Sequence, residues 1–417
     1  MSAPKTPRTE VRGDGLPRLL AVLGVSNAVM FALYLGVGGL LVQTQIAEID
    51  PEHKVSNVAL VAGVSAVFAT VFNPIGGTLS DRTRSRWGRR NPWILGGALA
   101  ALATMLLMSQ VSTIPMILLG WSLAQAMMNL YQAALTAIVP DRVPEERRGT
   151  ASAVIAVATS IGIMVGTQVA AFFVASVSLG YLVFGSAVVL GALLVVSTTH
   201  DPRPGEYEVA ERPKVSLVTA VRDFLSALGH RDFMWVFVGR ALIILGYFMV
   251  LLFALFIFQD YIGLPKEEAP QAVATVTIVS TLAAMITAVV CGPLSDRLNR
   301  RKLFVTVAGL VTAASMLLPL LWPTMTSMLV YAVIHGAAFG AYGAVDMAIV
   351  TLVLPSKGDA ARDMGILNIA NAGPQMIAPF IAGSIVTASG GYGALWVAAI
   401  VISLFGAVAV LPVTSVR

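Results

Sequence analysis

Charge is what this chain has least of. Only 12% of its 417 residues are Asp, Glu, Lys or Arg, against about 25% in a typical soluble protein. So little charge cannot cover two or three soluble domains with a polar surface, and that reading is excluded. Cysteine is almost absent too. The single Cys291 rules out a disulfide framework and a cysteine metal cluster, and it is read as inert. No H-E-x-x-H, G-x-S-x-G or phosphate-loop pattern occurs, so neither an intramembrane hydrolase nor an ATP-driven pump is expected. The chain is read as not an enzyme, with no cofactor and no metal. What it has in abundance is apolar surface: 57% hydrophobic residues and 37 glycines.

A bilayer-crossing helix needs about 20 apolar residues. Between charged breaks, apolar blocks fall near 17–45, 57–80, 92–111, 114–140, 149–175 and 178–198, then near 233–258, 269–294, 303–322, 326–353, 366–388 and 391–412. The predicted fold class is an all-α polytopic membrane protein with twelve spans in two six-helix bundles. The polar tail with Lys5, Arg8 and Arg12 shows no signal-peptide pattern, so the first span is expected to persist. With the N-terminus inside, alternate loops collect 24 of the 27 Lys and Arg residues, leaving Lys54 and Lys266 opposite and Arg240 within a span. That bias predicts an N-in, C-in topology. It also accounts for the net charge of +5 without nucleic-acid binding. The expected location is the plasma membrane, a bacterial inner membrane, with a monomer in the lipid bilayer.

The longest polar stretch, 199–232, holds Pro202, Pro204, Gly205, Glu206, Glu208, Glu211 and Pro213. Val215, Val218, Val221, Leu225 and Leu228 follow at helical spacing, which predicts a surface helix over Val215–Gly229. This segment divides a first bundle, 1–198, from a second, 233–417. The halves repeat. Gly76-Gly77-Thr78-Leu79-Ser80-Asp81-Arg82 ends one span and Cys291-Gly292-Pro293-Leu294-Ser295-Asp296-Arg297 ends another, with aspartates 215 residues apart. Pro140 and Pro355 show the same separation of 215. Repeated halves are typical of secondary transporters, which bind substrate near mid-membrane.

Gly77-x-Leu79-x-Asp81-Arg82, continued by Gly88-Arg89-Arg90, resembles the signature loop of the major facilitator superfamily. The resemblance covers the whole chain. It implies a gating latch of Gly77, Asp81, Arg82, Gly88, Arg89 and Arg90, with a second copy at Asp296, Arg297 and Arg300 and Asn299 in place of the usual glycine. The alternative is that these arginines serve only as positive-inside anchors. Five residues separate Arg82 from Gly88, and this long form is similar to the glycoside–pentoside–hexuronide (melibiose-permease-like) cation symporters and the sucrose–proton symporters. That branch carries sodium-binding carboxylates where this sequence has Ala69 and Asn73, and a sugar-binding aspartate near Asn27. Without anionic ligands a desolvated sodium ion has little to offset its lost hydration, so proton coupling is expected instead.

Three ionisable residues fall well inside predicted spans: Arg240, His335 and Asp346. Such residues are costly in lipid and usually face a partner or a wet cavity. Arg240 and Asp346 sit at matching depths of roughly 10 and 12 Å from their span ends. They are the expected proton-coupling pair, with a static salt bridge as the alternative. His335 lies three turns from Asp346 on nearly the same face, and joins the coupling group or acts as a structural hydrogen-bonding residue. Gly336, Gly340 and Gly343 suit that helix to close packing.

Side-chain amides supply the candidate substrate site. Gln125, Asn129 and Gln132 share one helix face; Asn368, Asn371 and Gln375 share another. Asn27, Tyr34, Gln168, Tyr247 and Tyr342 complete the set, with interhelical hydrogen bonding as the alternative role. Neutral donors and acceptors suit a hydroxyl-rich or similar polar solute. The function expected is proton-coupled symport of a sugar, glycoside or other polar small solute. A drug or metabolite exporter is the alternative, disfavoured because the fifth span has no proline, only Gly162 and Gly166. A non-transporting receptor is disfavoured by the duplicated latch.

Overall fold

A computed structural model describes residues 15–201, 226, 228–298, 300–352 and 360–414. The tail residues Lys5, Arg8 and Arg12, the proline- and glutamate-rich run with nearly all of the expected surface helix, Asn299 and Pro355 lie outside them. Among the described residues all regular structure is helical. We number the long helices α1 (Gly15–Gly36), α2 (Lys54–Arg82), α3 (Asn91–Met108), α4 (Ile114–Thr136), α5 (Arg148–Phe172), α6 (Val177–Thr198), α7 (Arg231–Leu251), α8 (Ala269–Leu298), α9 (Arg301–Ser315), α10 (Met325–Leu352), α11 (Ala360–Ser389) and α12 (Gly393–Val408).

Among the described residues, ten helical segments are long and apolar enough to cross a membrane. The segments containing α4 and α12 are not among the ten; Gly393–Val408 is apolar but shorter. Leu107, Phe172, Leu190, Ile286, Val289 and Phe405 are all more than 60% exposed. That much bare aliphatic and aromatic surface is untenable in water and expected against lipid. The chain is an all-helical, multi-pass membrane protein.

Two helices depart from the simple spans. α1 continues past residue 45 through a π-helical turn, Val37–Leu41, and on to Ile49. The turn lies where glycines let aromatics in: a Cβ on Gly36 would meet Phe184 Cζ at 2.5 Å, and one on Gly38 would meet Trp121 Cζ2 at 2.8 Å. The chain after α7 carries its own π-helical turn, Ile257–Tyr261. Such turns break the regular hydrogen-bond ladder, which the hydropathy of either segment does not reveal. Proline falls in the first turn of α3 and of α4, where its missing N–H costs nothing.

The chain forms two compact units, 1–57 with 64–212, and 58–63 with 213–417. In the first, α1 packs on α5 and α6, and α3 packs on α4 and α6. In the second, α7 packs on α11 and α12, and α9 packs on α10 and α12. The same four pairings therefore recur six helices later, which is the internal repeat expressed as packing.

Glycine makes the tightest of these contacts. In the first unit, a Cβ on Gly162 or Gly166 would lie 2.2 Å from Ala28 O or 2.4 Å from Ala32 Cα, so backbone meets backbone between α5 and α1. In the second, Gly336 and Gly340 hold α10 against α8, each with a would-be Cβ 2.2 Å from a carbonyl, of Ser280 and Ala284. Among the described residues Gly343 faces nothing within 4 Å, so the close approach to α8 is made there by Gly336 and Gly340. Gly340→Ala is expected to lower thermal stability in detergent by about 1–3 kcal/mol of overpacking. Gly343→Ala gains up to about 1 kcal/mol in helix propensity, and fluorescence-monitored melting of the two variants checks the contrast.

Candidate functional site

Arg240 lies about two and a half turns into α7, on a segment otherwise too apolar to hydrate a charge. Its Nη1 is 2.9 Å from Asp346 Oδ2 on α10, with side chains only 13% and 7% exposed. Its Nε donates to Asn371 Oδ1 of α11 at 2.9 Å. One guanidinium thus ties three helices of the second unit together, and its fork satisfies both the charge and a neighbouring amide. Tyr342, one turn before Asp346, is buried in the adjacent core with Val236, Ile243 and Val345.

His335 stands apart from this pair. It is buried at 2% exposure, and its Nε2 has no hydrogen-bond partner among the described residues. Its ring stacks with Tyr247 at 5.7 Å and Phe339 at 6.0 Å, and tilts against Tyr331 at 4.8 Å. Tyr247 and Phe339 stack on each other at 4.5 Å. α7 and α10 therefore share an aromatic column, with His335 one of its rings.

Amides of the first unit are joined to neighbours. Asn27 Nδ2 donates to Thr159 Oγ1 at 3.2 Å, linking α1 to α5. Tyr34 donates to Gln132 Oε1 at 3.1 Å, linking α1 to α4. Asn73 Nδ2 donates to Asn129 Oδ1 at 3.4 Å, and Asn129 donates to its own helix at Gln125 O, 2.9 Å away. Gln125 and Gln168 are half-buried. In the second unit Asn368 and Gln375 are exposed, Gln375 donating to Asn371 O at 3.1 Å.

The loop after α2 forms a dense ionic cluster within the first unit. Arg90 is 2.6 Å from Asp81 Oδ1 and 3.0 Å from Asp141 Oδ2, and its own side chain is 4% exposed. Arg90 Nη1 also donates to Ser80 Oγ. Arg89 takes the other oxygen of Asp141 at 2.6 Å. Arg82 is exposed, and Gly88 holds a left-handed φ of 91°. Among the described residues a Cβ on Gly77 would meet nothing within 4 Å, whereas one on Gly76 would lie 2.8 Å from Leu130 Cα. The close approach of α2 to α4 is made at Gly76. Beside the cluster Arg142 pairs with Asp201 at 2.9 Å; burial pulls the Arg142 guanidinium below its usual range and Asp201 opposes the shift.

In the second copy Asp296 Oδ1 receives Arg301 Nη2 at 2.7 Å and Nε at 3.1 Å. Arg297 and Arg300 are exposed. In both units, then, an arginine at the start of the third helix grips the aspartate near the end of the second. Sequence reasoning missed Asp141, Arg142, Asp201, Thr159 and Arg301. A signal for the first two was present: Asp141-Arg142 repeats the Asp-Arg step that ends α2.

Arg240→Ala would strand a buried carboxylate, a change expected to cost about 3–5 kcal/mol. Arg240→Ala combined with Asp346→Asn should recover most of that loss, since a neutral amide needs no counter-charge. Size-exclusion profiles and melting midpoints of the two variants check the recovery.

The sequence profile of the Major Facilitator Superfamily matches residues 20–281 and 269–417. An uncharacterised symporter of Synechocystis sp. is 62% identical over 34 residues, covering 8% of this chain and only 6% of that relative's length. Monocarboxylate transporter 2 of Meriones unguiculatus is 25% identical over 365 residues, covering 81% of this chain and 72% of that one. A mutant form of the nucleoside transporter NupG superposes with a TM-score of 0.71 at 12% identity, over 94% of this chain and 98% of its own. A bacterial homologue of the human lysosomal transporter Spinster, in its inward-facing and occupied conformation, gives 0.66 at 14% identity, over 96% of each chain. At such identities the structural likeness is one of fold. Taken with the profile and the repeated helix pairings, it means that this chain belongs to the Major Facilitator Superfamily.

Proposed function

We propose that this transporter couples the uptake of a sugar, glycoside or other polar small solute to proton entry, by alternating access. The observation that carries the reading is the Arg240–Asp346 pair at 2.9 Å. Among the described residues the buried carboxylates are Asp201 and Asp346, and of these only Asp346 lies in a candidate span. An apolar interior holds a carboxylate charged only while a counter-charge is near. Separating Arg240 from Asp346 during the transport cycle therefore makes Asp346 take up a proton, and restoring the pair releases it. His335, in an aromatic stack with Tyr247, Phe339 and Tyr331, is a secondary member of this group.

In the proposed arrangement α4 and α12 complete twelve spans, with both termini inside, a bacterial inner membrane as the location and a monomer as the working unit. Residues 1–198 and 233–417 form the two bundles, joined by 199–232. The amides and phenols, from Asn27, Tyr34, Gln125, Asn129, Gln132 and Gln168 to Tyr247, Tyr342, Asn368, Asn371 and Gln375, supply neutral contacts to substrate. The Asp81 and Asp296 clusters are the gating latches, with Arg301 as the working partner of Asp296. The name of the Synechocystis relative supports symport over export. A second reading, a small carboxylate as substrate, is favoured by Arg240 together with the name of the Meriones relative.

In proteoliposomes, labelled glycosides should accumulate when an inward proton gradient is imposed, and replacing sodium by choline should not matter; accumulation of small carboxylates instead supports the second reading. Asp346→Asn is expected to abolish accumulation and to spare downhill exchange. Accumulation by that variant, or a sodium requirement, contradicts the coupling. A separate expectation concerns the latch. Asp81→Asn should cut the transport rate by roughly tenfold or more, the loss of about 1.4 kcal/mol or more in one state of the cycle, with normal insertion. A wild-type rate in that variant would remove the latch from the mechanism.

A further inference from the structure

Asp201 follows α6 as the third residue of the central polar stretch, yet its carboxylate is 1% exposed. Its Oδ2 accepts the backbone N–H of Arg90 at 2.6 Å and of Asn91 at 2.9 Å. These amides open α3, where a helix leaves its donors unsatisfied and favours a negative charge. Its Oδ1 accepts Arg142 Nη2 at 2.9 Å, from a guanidinium 2% exposed. The approach is possible only because Gly88 has no side chain: a Cβ there would lie 2.3 Å from the carboxyl carbon of Asp201.

A helix is ordinarily capped by the side chain at its own first position. Here that position is Arg90, which makes no side-chain cap; its guanidinium is turned to Ser80, Asp81 and Asp141. Capping and latching have been separated. Asp201 holds the backbone of Arg90 from 111 residues away in sequence, which leaves the Arg90 side chain wholly available to the latch. A buried carboxylate on its own would be costly, and Arg142 with two amide donors offsets that cost.

We propose that Asp201 is a positioning residue of the first latch. It sets where Arg90 leaves the backbone, and so whether the guanidinium reaches Asp81 and Asp141 together. The inference rests on the latch reading above, and its test separates the two.

Hydrogen–deuterium exchange on the purified full chain reads the cap directly and needs no substrate. Asp201→Ala should speed exchange at Arg90 and Asn91 by roughly tenfold or more, as expected for a lost hydrogen bond to a charged group worth about 1.5–3 kcal/mol. Asp201→Asn, which keeps one acceptor, should give a smaller effect and serves if the alanine variant does not fold. Unchanged exchange at both amides overturns the proposal. The link to the latch is read by N-ethylmaleimide labelling of Ala133→Cys on a Cys291→Ser background, a buried position of α4 that faces Gly76 of α2. Arg90→Ala and Asp201→Ala should each raise the labelling rate by the same factor, several-fold, and together raise it no further. A purely structural cap would give multiplying effects, which overturns the positioning role. An unchanged rate in Arg90→Ala sinks the latch reading, whereas an unchanged rate in Asp201→Ala beside a raised one in Arg90→Ala sinks this inference alone.

Discussion

A charge withdrawn from water must find its counter-charge inside the protein, and in this chain that constraint governs every element with chemistry on it. The Arg240–Asp346 pair meets it deep in the second unit, with Asn371 taking another arm of the guanidinium. The Arg90 cluster and the Arg142–Asp201 pair meet it in the first unit. Breaking a buried pair is far more costly than never having made one. Such pairs are therefore poor as simple glue and well suited to switching, because a proton can neutralise one partner where an alanine cannot. Around them the helices need only supply close, apolar, glycine-mediated contacts, as Gly162, Gly166, Gly336 and Gly340 do.

The two units share their helix pairings and differ in what they carry. The first holds neutral links, Asn27 to Thr159 and Tyr34 to Gln132, and a latch whose arginine is 4% exposed among several acids. The second holds the ion pair and the aromatic column, with a latch whose aspartate is 59% exposed. One repeat has thus concentrated its buried charge at a helix end, the other in the middle of its helices. The acids that reinforce the first latch, Asp141 and Asp201, follow α4 and α6. Breaking the Arg90 cluster thus disturbs more buried charge than breaking the Asp296–Arg301 pair.

Much of this was legible in the sequence because charge is so scarce. Arg240 and Asp346 stood out against uninterrupted apolar runs, and their matched depths sufficed to pair them. The Asp81 and Asp296 loops were legible through repetition at one separation. The convergence of Asp141 and Asp201 on Arg90 was not, although the Asp141-Arg142 step offered a hint of the first. Asp141 and Asp201 sit in polar stretches where an acid is unremarkable, and only the fold brings them to Arg90. Nor could the sequence distinguish Arg301 from Arg297 and Arg300 as the partner of Asp296, since three arginines within five residues offer the same chemistry and differ only in direction. The π-helical turns left no hydropathic trace, because a slipped hydrogen bond does not change which residues are apolar.

The central claim is that Asp346 exchanges a proton as its partner moves. Infrared difference spectroscopy on the reconstituted protein, stepped between acid and alkaline pH, sees this directly as the carbonyl stretch of a protonated carboxyl group. The account predicts a titrating band from a water-shielded carboxyl that is present in the wild type, absent in Asp346→Asn and shifted in position or midpoint by Arg240→Lys. A spectrum in that region left unchanged by Asp346→Asn would mean that Asp346 stays ionised throughout, and that the pair is only a strut.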